Sequence, residues 1–142
     1  MANQMPGSQE YSGLSQKVLR YSEAFAHIVS RSKSDVASAT DWAPIEELVD
    51  MDQFERVGVF LTPRAEVIGW AQYKSYITQY AGDTAWEGTL RHITEVPGRV
   101  ILELEERNTR AGHTDVSNTV TIYDFNDAGK LRHLEVYVMP LS

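Results

Sequence analysis

The residues best suited to acid/base chemistry lie in the second half of the chain. His92, in WEGTLRHITEV, titrates near neutral pH. Glu106, in RVILELEERNT, supplies a carboxylate, and Asn118, in DVSNTVTIYDF, breaks an otherwise apolar alternation. General acid/base catalysis needs such groups inside an apolar cavity, where burial tunes the pKa. His92 is accordingly the candidate acid/base. Glu106 would orient it or act as a second acid/base, and Asn118 would hydrogen-bond a substrate oxygen. Each has a plainer alternative. His92 would be a core histidine with satisfied ring nitrogens, Glu106 a solvated strand end, and Asn118 a tie to a neighbouring loop.

Other chemistries find no support. The chain has no cysteine, which excludes disulfides, thiol catalysis and cysteine-ligated metal. His113-x-Asp115 stands in a turn without further ligands at metal-binding spacing, so no metal is expected. No Gly-rich phosphate loop and no nucleophile elbow occur, and no cofactor is expected. A formal net charge of −7 over 142 residues, with no basic cluster, argues against a nucleic-acid partner. No run approaches the roughly 18 apolar residues of a membrane span, and MANQMPGSQE does not read as a signal peptide. The expectation is a cytoplasmic protein that contacts neither membrane nor nucleic acid.

The elements that must position these groups follow from periodicity. Residues 1–11 are polar and contain Gly, Pro and Ser, which reads as a flexible arm, and residues 12–142 read as one domain. Leu14, Val18, Tyr21, Phe25, Ile28 and Val29 recur at helical spacing from Ser12 to about Arg31. A polar loop, RSKSDVASAT, precedes a short helix at DWAPIEELV, capped by Thr40 or Asp41 with Pro44 in its first turn. FERVGVFL alternates as a strand, and GWAQYKSYITQYAG forms a third helix carrying Trp70, Tyr73, Ile77 and Tyr80 near one face. Two hairpins follow, one turning at Pro97-Gly98 and the other at Asn126–Gly129. Three helices with one strand among them, then four antiparallel strands, make an α+β domain whose helices cover one face of a curved sheet.

A three-residue loop, Pro97-Gly98-Arg99, would pair His92 with Leu104 and Leu90 with Glu106, gathering apolar residues on one face. The inward set is then Trp86, Leu90, His92, Leu102, Leu104, Glu106, Asn118, Val120, Leu134, Val136 and Val138. His133, Glu135 and Tyr137 fall outward with Thr119, Thr121, Glu103 and Arg91. Trp70, Tyr73, Tyr76 and Trp86 either wall a hydrophobic ligand or belong to the plain core.

DWAPIEELVDMDQF after the first helix and FNDAGKLRHLEVYV at the end, together with the element order and length, resemble the nuclear-transport-factor-2-like (NTF2-like) superfamily. The chain is also similar to its SnoaL-like branch, which holds polyketide cyclases, ketosteroid isomerases, limonene epoxide hydrolases and scytalone-type dehydratases. The resemblance covers roughly residues 14–139. It implies a cystatin-like cone: three N-terminal helices packed on the concave face of a strongly curved, mainly antiparallel sheet. It also implies a pocket inside the cone and a homodimer through the convex face. Tyr21 stands where isomerase-like and dehydratase-like members hydrogen-bond a substrate oxygen, and Ser117-Asn118 faintly resembles the dehydratase pair. The isomerase aspartate falls near Arg56, which leaves Asp50 and Asp52 as displaced candidates. The cyclase aspartate of the last strand aligns with Val136.

The function implied is a cofactor-independent lyase or isomerase, of dehydratase or cyclase type, acting on a small, largely apolar oxygenated molecule. Catalysis would rest on His92, Tyr21, Glu106, Asn118 and Asp52. Trp70, Tyr73, Trp86, Leu90, Leu104, Val120 and Val136 would bind the substrate. The alternative is a non-catalytic ligand-binding or interaction module of the same fold.

Overall fold

The structure is a computed structural model that describes residues 4–32 and 37–142. Of the polar loop expected over 31–40, residues 33–36 lie outside the described residues. Helix α1 (Gly13–Arg31) buries Val18, Tyr21, Ile28 and Val29, the stripe expected from their spacing. Its first turn is capped from outside, because Glu95 accepts hydrogen bonds from the Ser15 backbone N–H and hydroxyl, both at 2.7 Å. Helix α2 (Ala39–Glu46) starts two or three residues earlier than a Thr40 or Asp41 cap requires. Ser38 is the cap: its hydroxyl accepts from Asp41 N–H, while the Asp41 carboxylate accepts from Ser38 N–H. Pro44 consequently lies past the first turn. Helix α3 (Trp70–Ala81) buries Trp70, Tyr73 and Ile77.

Six strands form one curled sheet: β1 (Glu55–Gly58), β2 (Glu66–Ile68), β3 (Ala85–Val96), β4 (Arg99–Arg110), β5 (His113–Phe125) and β6 (Leu131–Pro140), in the order β2-β1-β6-β5-β4-β3. All neighbours are antiparallel except β1 and β6. The short strand β2 has no counterpart in the sequence reading; its three residues are too few to show alternation. With three helices on the concave side, this is the expected α+β cone. The β1–β6 contact is close. Gly58 has φ +139°, and a Cβ there would stand 2.7 Å from the Val136 carbonyl oxygen.

Two expected registers are corrected. The β3–β4 turn has two residues, Pro97 and Gly98, with Val96 opposite Arg99 and Gly98 at φ +75°. That pattern suits a tight turn with glycine in its second central place. A bulge at Arg91 then shifts the pairing, so Leu90 faces Leu104 but His92 faces Glu103. On β5, Thr119, Thr121 and Tyr123 pair with Val138, Val136 and Leu134, so the hydroxyl row is concave and Asn118, Val120 and Ile122 are convex. Directly paired residues share a face.

Candidate functional site

A cavity of about 510 Å³ opens between α1, α3, the segment after β1 and the concave face of the sheet. Its wall mixes aromatic and aliphatic residues, with Phe25, Phe60, Tyr80, Trp86, Leu104 and Val136 contributing, and polar side chains such as Asn108, Thr119 and Thr121. Phe60 packs edge-on against Tyr73 and Tyr80, and Phe25 against Trp86. Five charged residues line the cavity: Asp83, Arg110 and Asp115 are exposed, whereas Arg56 is buried and Glu106 half-buried. At one place Glu106, on β4, accepts a hydrogen bond from Trp86 Nε1 at 2.6 Å on one carboxylate oxygen. The other oxygen accepts from the Thr119 hydroxyl at 2.5 Å. Each oxygen is held by a neutral donor, so the negative charge is oriented without being cancelled.

At the other place Arg56, on β1, is 7% exposed. Its Nη1 donates to the Val59 carbonyl at 2.9 Å, and the guanidinium lies 4.6 Å from the centre of the Phe60 ring. The hydroxyls of Tyr21 and Tyr73 are 2.6 Å apart beside it. Burial drives the Tyr21 pKa well above its ordinary value, the neighbouring Tyr73 and Tyr123 add to this, and the Arg56 charge opposes it. Burial likewise raises Tyr73, Tyr80 and Tyr123. These phenols therefore remain neutral O–H donors at physiological pH. Tyr80 donates to the Asn108 side chain, and Arg110 pairs with Asp83 at 3.4 Å at the cavity mouth.

Among the residues expected to work together, Tyr21, Tyr73, Glu106, Trp86, Leu104 and Val136 all line this cavity. His92 does not join them; the bulge turns it to the convex face, where it is exposed. Asn118 and Val120 are convex too, half-buried and paired with Met139 and Tyr137. Asp52 is exposed in the turn before β1. Asp50 is engaged structurally, accepting from Gln53 N–H and the Asn126 side chain. Trp70 belongs to the core, stacked edge-on with Phe54 and donating to Glu46 at 2.8 Å. Leu90 packs against the core rather than the cavity. Tyr76 packs on Phe60 and donates to Glu66. Arg56 and Val136, where the resemblance implies family carboxylates, both line the cavity, and neither is an acid.

Thr119, Thr121, Tyr123 and Asn108 went unread as cavity residues. The signal existed: the Asn126–Gly129 turn sets Tyr123 opposite Leu134, and an inward Leu134 forces the whole odd-numbered row of β5 inward.

No family model and no curated protein matches the sequence. Solved structures do. An NTF2-like protein of unknown function from Burkholderia pseudomallei is 15% identical with TM-score 0.67, covering 89% of this chain and 91% of that one. The chain has the NTF2-like fold. A SnoaL-like protein from Shewanella putrefaciens, assigned as a polyketide cyclase, superposes on this chain with TM-score 0.67 at 9% identity, covering 93% of this chain and 83% of that one. An LEH-like epoxide hydrolase from M. tuberculosis gives TM-score 0.58 at 13% identity, with 86% and 82% covered. At such identities the likeness is one of fold, and function has to be argued from the cavity. Among the described residues, no helix is long and apolar enough to cross a membrane.

Proposed function

We propose that the cavity is the active site of a cofactor-independent lyase or isomerase acting on a small, largely apolar oxygenated molecule. The observation that carries this reading is Glu106: a carboxylate inside an aromatic cavity, held by Trp86 and Thr119 through neutral donors. Such a group can take a proton from a carbon next to a carbonyl. The enolate oxygen so formed would accept a hydrogen bond from the neutral Tyr21 or Tyr73 hydroxyl, beside the Arg56 charge. Returning the proton at another carbon completes an isomerisation; passing it instead to a β-hydroxyl, which leaves as water while the enolate collapses to the enone, completes a dehydration. Glu106 thus takes the acid/base role that the sequence suggested for His92.

The test is exchange of α-protons of small cyclic and aryl ketones in D₂O, followed by proton NMR. Glu106→Gln should lower protein-catalysed exchange by about 10²-fold or more, the usual worth of a general base. Exchange that proceeds unchanged in the variant overturns the reading. A non-catalytic binding module of the same fold is the second reading, favoured by Arg56 and Val136 standing where related enzymes carry acids; ligand binding without any exchange would support it.

The chain is further proposed to dimerise through the convex face. Supporting this, Tyr137 and Met139 on that face remain 55% and 56% exposed in the single chain.

A further inference from the structure

Arg56 is a permanent charge with no ion-pair partner among the described residues. It is more than nine-tenths buried, and its Nε, itself shut away from solvent, has no hydrogen-bond partner. The nearby acids are engaged elsewhere. Glu55 turns to His133 on the other face of the sheet. Glu66 accepts from Tyr76, and Glu46 from Trp70 and Lys74. Glu106 is committed to Trp86 and Thr119. A buried guanidinium is costly unless it is paired, and its planar fork of donors matches a carboxylate in two-point geometry.

The cavity supplies the place for that partner, since Arg56 lines it. We infer that the ligand of this cavity is a small carboxylic acid bound as its anion, the carboxylate seated on Arg56 and the apolar body running along Phe60, Tyr80 and Val136 toward Glu106. This rests on the reading of the cavity as the substrate site and adds the substrate class. The separation of charges then has a use. A carboxylate tail drawn to Arg56 is kept from Glu106 by repulsion, so one orientation is enforced and the carbon that yields its proton is turned to the base. At about 510 Å³ the cavity lies within the usual 300–1,000 Å³ range of small-ligand sites, with room for an aryl or alicyclic acid.

The experiment compares carboxylates with their neutral isosteres. Phenylacetate, 3-phenylpropionate and 4-oxo-4-phenylbutyrate are each titrated calorimetrically against the full chain, alongside their primary amides. At least one acid should bind about tenfold or more tightly than its amide, and Arg56→Gln should erase that preference while Arg56→Lys retains part of it. If no acid outbinds its amide, the inference is overturned. That comparison uses the unaltered protein, so it stands even if Arg56→Gln proves unfolded by circular dichroism. A preference that survives in a folded Arg56→Gln variant overturns it as well. Proton exchange on 4-oxo-4-phenylbutyrate separates the two ideas. Preferred binding without Glu106-dependent exchange leaves the carboxylate site standing and removes the enzymatic reading. Exchange without any acid-over-amide preference does the reverse.

Discussion

Trp86 and Thr119 divide the Glu106 carboxylate between them, one oxygen each, and so fix where its free lone pairs point. Trp86→Phe keeps an aromatic ring against Phe25 but removes the indole N–H. A hydrogen bond to a charged group contributes about 1.5–3 kcal/mol. Exchange activity should therefore fall by roughly 10-fold or more, read as kcat with the chain still folded; unchanged kcat would show that the bond does not position the base. His133 is the second residue with a readable consequence. Burial by itself would lower its pKa, but hydrogen bonds to Glu135 and Glu55, at 3.0 and 2.7 Å, and the charges of both raise it overall. A raised folded pKa means the stabilisation is complete below the unfolded value of about 6.5 and is lost as pH rises through the folded value. Denaturant titrations should show His133→Gln costing more stability near about pH 5.5 than near about pH 8.5. The opposite trend would mean that the two carboxylates do not hold the proton.

Glu95 shows how one element finishes another. It belongs to the end of β3, yet it caps α1, whose own Ser12 makes no side-chain cap bond. Glu95→Ala should cost about 0.5–2 kcal/mol of unfolding free energy. The Ser15 hydroxyl, then the Ser15 backbone N–H, lower the Glu95 pKa. Its stabilisation is thus present above the unfolded value of about 4.3 and is lost as pH falls through the folded one, so the Ala penalty should shrink in acid denaturation series. The strands also show what alternation can and cannot reveal. α1 and α3 were readable because an apolar stripe at helical spacing has one natural place, against the sheet. On β5 the same reasoning reversed the faces. Val120 and Ile122 form the more apolar row, but the cavity takes the hydroxyls of Thr119 and Thr121. A sheet that lines a polar-studded cavity on one side and carries apolar residues on the other does not obey the rule that apolar means inward. His92 failed for a different reason: one extra residue at Arg91 inverts every later side chain of β3, and a bulge leaves no mark in the alternation itself. Arg56 could be read only as the place of a missing acid, because a lone arginine in a short strand resembles a surface residue until its burial is seen.

At the scale of the molecule, the two faces of the sheet present different surfaces. The concave face holds the cavity with Glu106 and Arg56, while the convex face presents Tyr137 and Met139 beside the His133 cluster. If that face joins two copies, Tyr137→Glu should shift sedimentation from dimer toward monomer and raise the dimer dissociation constant by about 10-fold or more, as expected on removing an aromatic anchor. A wild-type chain that sediments as a monomer at micromolar concentration refutes the dimer.

The strand order carries one more consequence, for biosynthesis. Strand β6 lies between β1 and β5, so it alone joins the β2-β1 edge to the β5-β4-β3 meander. While the ribosome is still making the chain, the early strand β1 has no sheet partner apart from β2, and the cavity cannot close, because Arg56 and Glu106 stand on opposite sides of the missing strand. The sheet therefore cannot become continuous until Leu131–Pro140 has been made, and its closure is a late, long-range pairing that leaves the core faces of α1 and α3 incompletely covered until then.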